Sequence, residues 1–138
     1  MPDPKLTPGA VLPSASPATI CRRGYSRRQR NVPVSLKREV YRRYGITYVP
    51  RRAVVDHLVP LEIGGANVGI DPATGRVNPT ANLWPEPVAG PAGSHQKDGL
   101  ENYLRSAVCT GRMSLRAAQM AIASDWYSAW LQAGQPAP

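Results

Sequence analysis

An α+β fold is predicted by two features of the 138-residue sequence. One apolar, β-branched run, AVVDHLVPLEIGG at 53–65, reads as a strand entering a turn. Segments before and after it repeat their apolar side chains at helical spacing. The length supports one modest core and not two, so a small single domain is expected.

In chain order, residues 1–19 hold Pro2, Pro4, Pro8, Pro13 and Pro17 among small residues. That composition resists helix and supplies few core side chains, so an extended N-terminal arm is expected ahead of a domain at 20–138. The stretch ICRRGYSRRQR at 20–30 places five arginines, Arg22, Arg23, Arg27, Arg28 and Arg30, around Tyr25. It reads either as a phosphate-contacting loop with an aromatic ring free to stack, or as a solvated basic loop. From Ser35, SLKREVYRRYG spaces Leu36, Val40, Tyr41 and Tyr44 on one helical face, between a candidate N-cap Ser35 and a terminating Gly45. Its polar face, with Lys37, Arg38, Arg42 and Arg43, suits a phosphate backbone or plain solvent.

Beyond the strand, residues 66–81 contain Asp71-Pro72, Gly75 and Pro79, which suggests an inserted loop or small hairpin before a second strand or turn at 82–84. Pro85, Pro87, Gly90, Pro91 and Gly93 predict an irregular link to a helix from His95 to about Cys109, capped by Ser94. Leu100, Leu104 and Val108 are its apolar positions. A last helix is expected at about 115–132, with Leu115, Ala118, Ile122, Trp126 and Trp130 facing the core.

Seventeen Lys and Arg against nine Asp and Glu give a formal charge of +8, which favours a polyanionic partner. Charge alone does not choose among DNA, RNA and an anionic membrane. No apolar run reaches the roughly 18 residues of a membrane span, and the first five residues lack the apolar core of a signal peptide. The expected location is cytoplasmic as written, or secreted if a leader was removed. Cys21 and Cys109 show no CxxC spacing, which argues against a thiolate-bound zinc and leaves either a disulfide or two buried thiols.

Asp56-His57 is the pair most suggestive of chemistry. A carboxylate inside an apolar strand needs a cation, a metal or hydrogen-bond donors. A neutral imidazole beside it can take a proton from water at neutral pH. A DH dipeptide alone is weak, but it is followed in order by DHLVPLEIGGAN, ANLWPEP and SHQKDGLENYL.

These strings resemble a bacterial and phage group of HNH endonuclease-like proteins in the His-Me finger superfamily. The likeness extends to DPKLTPGAVLP and CRRGYSRRQRNVP at the start and AQMAIASDW near the end, so it covers nearly the whole chain. It implies a ββα-metal core at about 52–109, in which His57 is the general base and Asp56 a metal ligand. Asn82 matches the motif asparagine, which either orients the base loop or joins the metal shell. His95 is the expected third ligand, with Asp98 competing. The resemblance further implies one divalent ion, Mg²⁺ or Mn²⁺ suiting oxygen donors best. Nucleic acid, DNA ahead of RNA, is the expected partner, met by Arg22, Arg23, Arg27, Arg28, Arg51, Arg52 and Lys97. No obligate protein partner is evident. The alternative is a nucleic-acid-binding module that keeps the fold without catalysis. Between Gly65 and Asn82 the chain departs from the group's pattern, inserting VGIDPATGRVNPT, most simply a surface hairpin.

Overall fold

The computed structural model describes residues 1–47 and 52–138. Arg51, one of the expected nucleic-acid contacts, lies outside the described residues. The α+β class holds: α1 (Pro17–Ile20), α2 (Tyr25–Gln29) and α3 (Val34–Arg43) precede β1 (Ala53–His57), β2 (Gly69–Ile70), β3 (Val77–Asn78) and β4 (Leu83–Pro87). Two longer helices, α4 (Ser94–Cys109) and α5 (Leu115–Gln132), complete the order.

β1 and β4 pair antiparallel with His57 opposite Leu83, Asp56 opposite Trp84 and Ala53 opposite Pro87. The strand therefore runs through Pro85 and Pro87, where an irregular link was expected. Proline lacks the donor for a ladder bond, but residues two apart share one side of a strand, and a two-stranded sheet leaves one edge unpaired. The insertion forms the small hairpin β2–β3, with Ile70 opposite Val77.

The core gathers Ile20, Leu58, Val59, Ile63, Trp84, Leu100, Leu104, Ile122 and Trp126. Each long helix contributes residues at i, i+4 spacing to it, as an amphipathic stripe must. α5 is bent at Asp125, whose backbone (φ −160°, ψ 88°) is not helical. Asp125 compensates by capping the segment that follows, accepting from the Ser128 amide at 3.0 Å and its hydroxyl at 2.7 Å. Trp126 is fully buried on this helix, whereas Trp130 is half-buried and donates its indole N–H to the Pro136 carbonyl at 3.0 Å.

The N-terminal arm is stitched down more firmly than its composition suggested. The amides of Gly9 and Ala10 both donate to the Ala81 carbonyl, and Leu12 N–H donates to Gly64 O. Buried Thr7 joins Tyr44 Oη at 2.6 Å and donates to Leu83 O at 3.2 Å. Ahead of α1, which starts on Pro17 where a proline is tolerated although helix was not expected in this arm, the non-helical chain is satisfied by bonds to the loops around β4. Cys21 and Cys109 form a disulfide with Cα atoms 5.7 Å apart and a sequence separation of 88. A loop of that length is worth about 4 kcal/mol in the chain-entropy picture. Among the described residues no helix is long and apolar enough to cross a membrane.

Candidate active site

β1 delivers Asp56 and His57 to the end of the hairpin, and the chain then turns through 58–66 before returning as β4. Asn82 shapes that turn. It is fully buried; its Oδ1 accepts from the Val59 amide at 2.8 Å, and its Nδ2 donates to Val59 O at 2.9 Å and Ala66 O at 2.8 Å. Both ends of the amide are committed to backbone, and they tie the turn after β1 to the start of β4. The Gly64-Gly65 pair makes the turn possible. Gly64 has φ +84°, and a Cβ on Gly65 would lie 1.8 Å from Val59 O.

His57 is buried at 2 % exposure, and its Nε2 lies 3.1 Å from Asn67 Oδ1. Asn67 cannot turn its amide over without loss. Its Nδ2 donates to Gln29 O at 2.7 Å and its Oδ1 also receives the Asn31 amide at 3.2 Å. An oxygen facing Nε2 requires the proton on Nε2, which leaves Nδ1 as the basic nitrogen. Nδ1 has no hydrogen-bond partner among the described residues. Burial lowers the His57 pKa below its ordinary value, outweighing the neighbouring Asp56 and the Asn67 bond, so the ring is neutral at pH 7.

Asp56 turns to the other side and meets α4. Lys97 is fully buried there; its ammonium donates to Asp56 Oδ2 at 2.8 Å, to the His57 carbonyl at 2.6 Å and to Glu101 Oε1. Lys97 and Glu101 stand one turn apart on the same helical face. Glu86 from β4 completes the cluster, 1 % exposed and with Oε1 unpartnered. One cation faces three carboxyls, and the charges settle accordingly. Burial alone would raise Asp56, but the charge and hydrogen bond of Lys97 hold it below the usual carboxylate range. Burial pushes Glu101 up to about 7 and Glu86 up to about 8, against the pull of Lys97. Burial would also strip Lys97 of its proton, yet Glu101, Asp56 and Glu86 together raise its pKa.

This corrects one expectation: Lys97 does not face solvent or a phosphate. Spending its three N–H donors inside the fold, it holds α4 to β1 at the two residues that matter. His95 is exposed on the first turn of α4 and does not line the cavity beside His57. Asp98 is raised by burial and by the nearby Asp56 charge, which places it within electrostatic reach of the cluster. Tyr25, expected as a stacking aromatic, is instead part of the core. Arg22, Arg23, Arg27, Arg28 and Arg52 are exposed, and Arg28 also donates to Arg23 O at 3.1 Å. Asn67 and Glu101 were in plain view, ending GGAN and closing KDGLE. The partners of Asn67 come from α2 and β1, which no local spacing reveals, whereas Glu101 meets Lys97 one turn back on α4 and only the approach of β1 gives that pair its third member, Asp56.

A cavity of about 70 Å³ opens beside these residues, lined by Asp56, His57, Glu62 and Glu101 with Arg30 and Ser26. It is large enough for a few waters. The resemblance implies a divalent ion here, and the donor chemistry admits one. The carboxylates supply hard oxygen atoms, and Glu62 Oε1 is buried without a partner. Mg²⁺ commonly takes one or two carboxylates and completes its shell with water and substrate phosphate. A closed cage is not what the residues form, because Lys97 occupies the point where Asp56 and Glu101 converge. Among the described residues no three His, Cys, Asp or Glu side chains group to hold an ion. No family model, curated protein or solved structure matches the chain.

Proposed function

We propose that the protein is a metal-dependent nuclease of the HNH type that hydrolyses phosphodiester bonds of nucleic acid, with DNA the favoured substrate. The observation that carries the reading is the imidazole of His57, buried and neutral, with Nε2 committed to Asn67, in the wall of a water-sized cavity beside Asp56. In this reading His57 Nδ1 removes a proton from a water as the water oxygen bonds to phosphorus. The bond from phosphorus to the departing sugar oxygen breaks, and that oxygen collects a proton from solvent. Asn67 keeps the proton on Nε2 and so keeps Nδ1 available. A divalent ion in the cavity lined by Asp56, Glu62 and Glu101, beside the Lys97 ammonium, would offset charge on the phosphate and the departing oxygen. The hairpin, the Asn82-held turn and α4 then correspond to a ββα-metal core.

Purified protein incubated with supercoiled plasmid and Mg²⁺, Mn²⁺ or EDTA tests the proposal. Cutting should require metal and fall at least about 100-fold in His57→Ala. Cutting that survives undiminished in that variant removes His57 from the mechanism.

One observation favours a second reading, the catalytically silent binding module: the buried Lys97 ammonium already neutralises the carboxyl cluster. DNA binding with a steep salt dependence, without divalent-ion binding or cutting, would select it. The Cys21–Cys109 bridge favours an oxidising compartment under either reading.

A further inference from the structure

A second cavity, of about 320 Å³, adjoins the first, and the two share Ser26 and Glu62 in their walls. Its walls also carry Arg22, Arg23 and Arg105, so three guanidinium groups surround one carboxyl. Arg22 and Arg23 are exposed, Arg105 is half-buried, and no side-chain hydrogen bond or ion pair engages any of them among the described residues.

The disulfide builds this arrangement. Cys21 immediately precedes Arg22 and Arg23, and Cys109 lies one helical turn after Arg105 on the same face of α4. Closing the bridge sets the arginine loop against Arg105. Three guanidinium groups outnumber the single Glu62 carboxyl in that cavity, and a guanidinium fork matches phosphate oxygens.

We propose that Arg22, Arg23 and Arg105 form a phosphate subsite that takes the linkage next to the one being cut on the same nucleic-acid strand. The proposal rests on the nuclease reading for the position of the cut, while the binding of phosphate stands independently of it. Glu62 marks the boundary between the two cavities.

Binding is read first, in EDTA, as anisotropy of a labelled oligonucleotide titrated at several salt concentrations. Arg105→Gln should weaken binding and flatten the slope of log K against log salt by about 1, the signature of one lost phosphate contact. Arg116→Gln, on the exposed surface of α5, should leave the slope unchanged. Equal slopes for wild type and Arg105→Gln, or equal losses in both variants, would overturn the subsite. Competition by inorganic phosphate that is as strong as that by an equal phosphate concentration of oligonucleotide would reassign it as a free-anion site. Position is read second, with oligonucleotides carrying one neutral methylphosphonate linkage. Cutting by wild type should slow when the neighbouring linkage is neutral, and Arg105→Gln should show no further loss on that substrate. Additive losses would overturn the placement. A chain that cuts nothing but shows the slope change defeats the nuclease reading, and with it the placement, and leaves the phosphate site standing.

Discussion

Asp56 and His57 are neighbours on β1, yet their side chains enter different networks. Asp56 faces α4, where it meets the Lys97 ammonium and the buried carboxyls of Glu86 and Glu101. His57 faces the turn and α2, where Asn67 meets it with a neutral amide that is itself held by two backbone groups. The first network regulates charge and ties two elements together; the second fixes a tautomer. The difference teaches where stability and chemistry separate in this molecule. Removing a buried charge leaves its partners uncompensated, whereas removing an amide leaves only directional bonds unmade.

Replacing Lys97 by Met should be the most damaging change, costing about 3–5 kcal/mol of stability in urea unfolding at neutral pH. Asn67→Ala should cost only about 1 kcal/mol. The deficit of the lysine variant should shrink in acid. Lys97 holds the folded-state pKa of Asp56 below its ordinary value, so that contribution is present above the unfolded pKa and lost as pH falls through the folded one. Equal costs for the two variants, or a lysine deficit independent of pH, would erase the distinction between the networks.

The same contrast explains what the sequence made legible. β1, α3, α4 and α5 were readable because each buries one face, and that imposes a period on the apolar residues. The inserted hairpin was readable from Asp71-Pro72 and Gly75, and the strings around Asp56, His57 and Asn82 pointed to residues that the fold brings to one turn. Other features depended on pairing across the fold. Pro85 and Pro87 argued against a strand until β1 was known to cover only one edge of β4. Lys97 looked like a surface lysine because its three acceptors sit on β1 and one turn further along α4. Tyr25 sat among arginines that are exposed, and nothing local shows that its ring turns inward.

Asn67→Asp sharpens the comparison from the other side, with a smaller effect that falls on chemistry more than stability. An aspartate still accepts from Nε2, but its charge favours the imidazolium, opposing the burial that lowers the His57 pKa in the wild type. The proposed mechanism needs the neutral ring, so the acid limb of the rate profile should lie below the ordinary histidine value of 6.5 in wild type and move to higher pH in the variant. Cutting at alkaline pH should recover most of the loss. A variant equally impaired at every pH would mean that Asn67 serves the turn and leaves the tautomer alone.

The smallest effect is expected where neither network reaches. The β2–β3 hairpin touches the body through Gly69, whose Cβ position would lie 2.4 Å from Ala81 Cβ, and through Asn78, which accepts from Arg43 at 3.1 Å. Both lie at its base. Exchanging residues 71–76 for Asn-Gly joins Ile70 to Val77 through a two-residue turn suited to a paired hairpin, and preserves both contacts. Shortening a surface loop changes closure entropy little, so stability should stay within about 0.5 kcal/mol and plasmid cutting should be unchanged. A marked fall in cutting with stability intact would place Arg76, at the exposed end of the removed segment, in the path of the substrate. The insertion would then belong with the arginines of the binding surface and would no longer count as a tolerated addition to it.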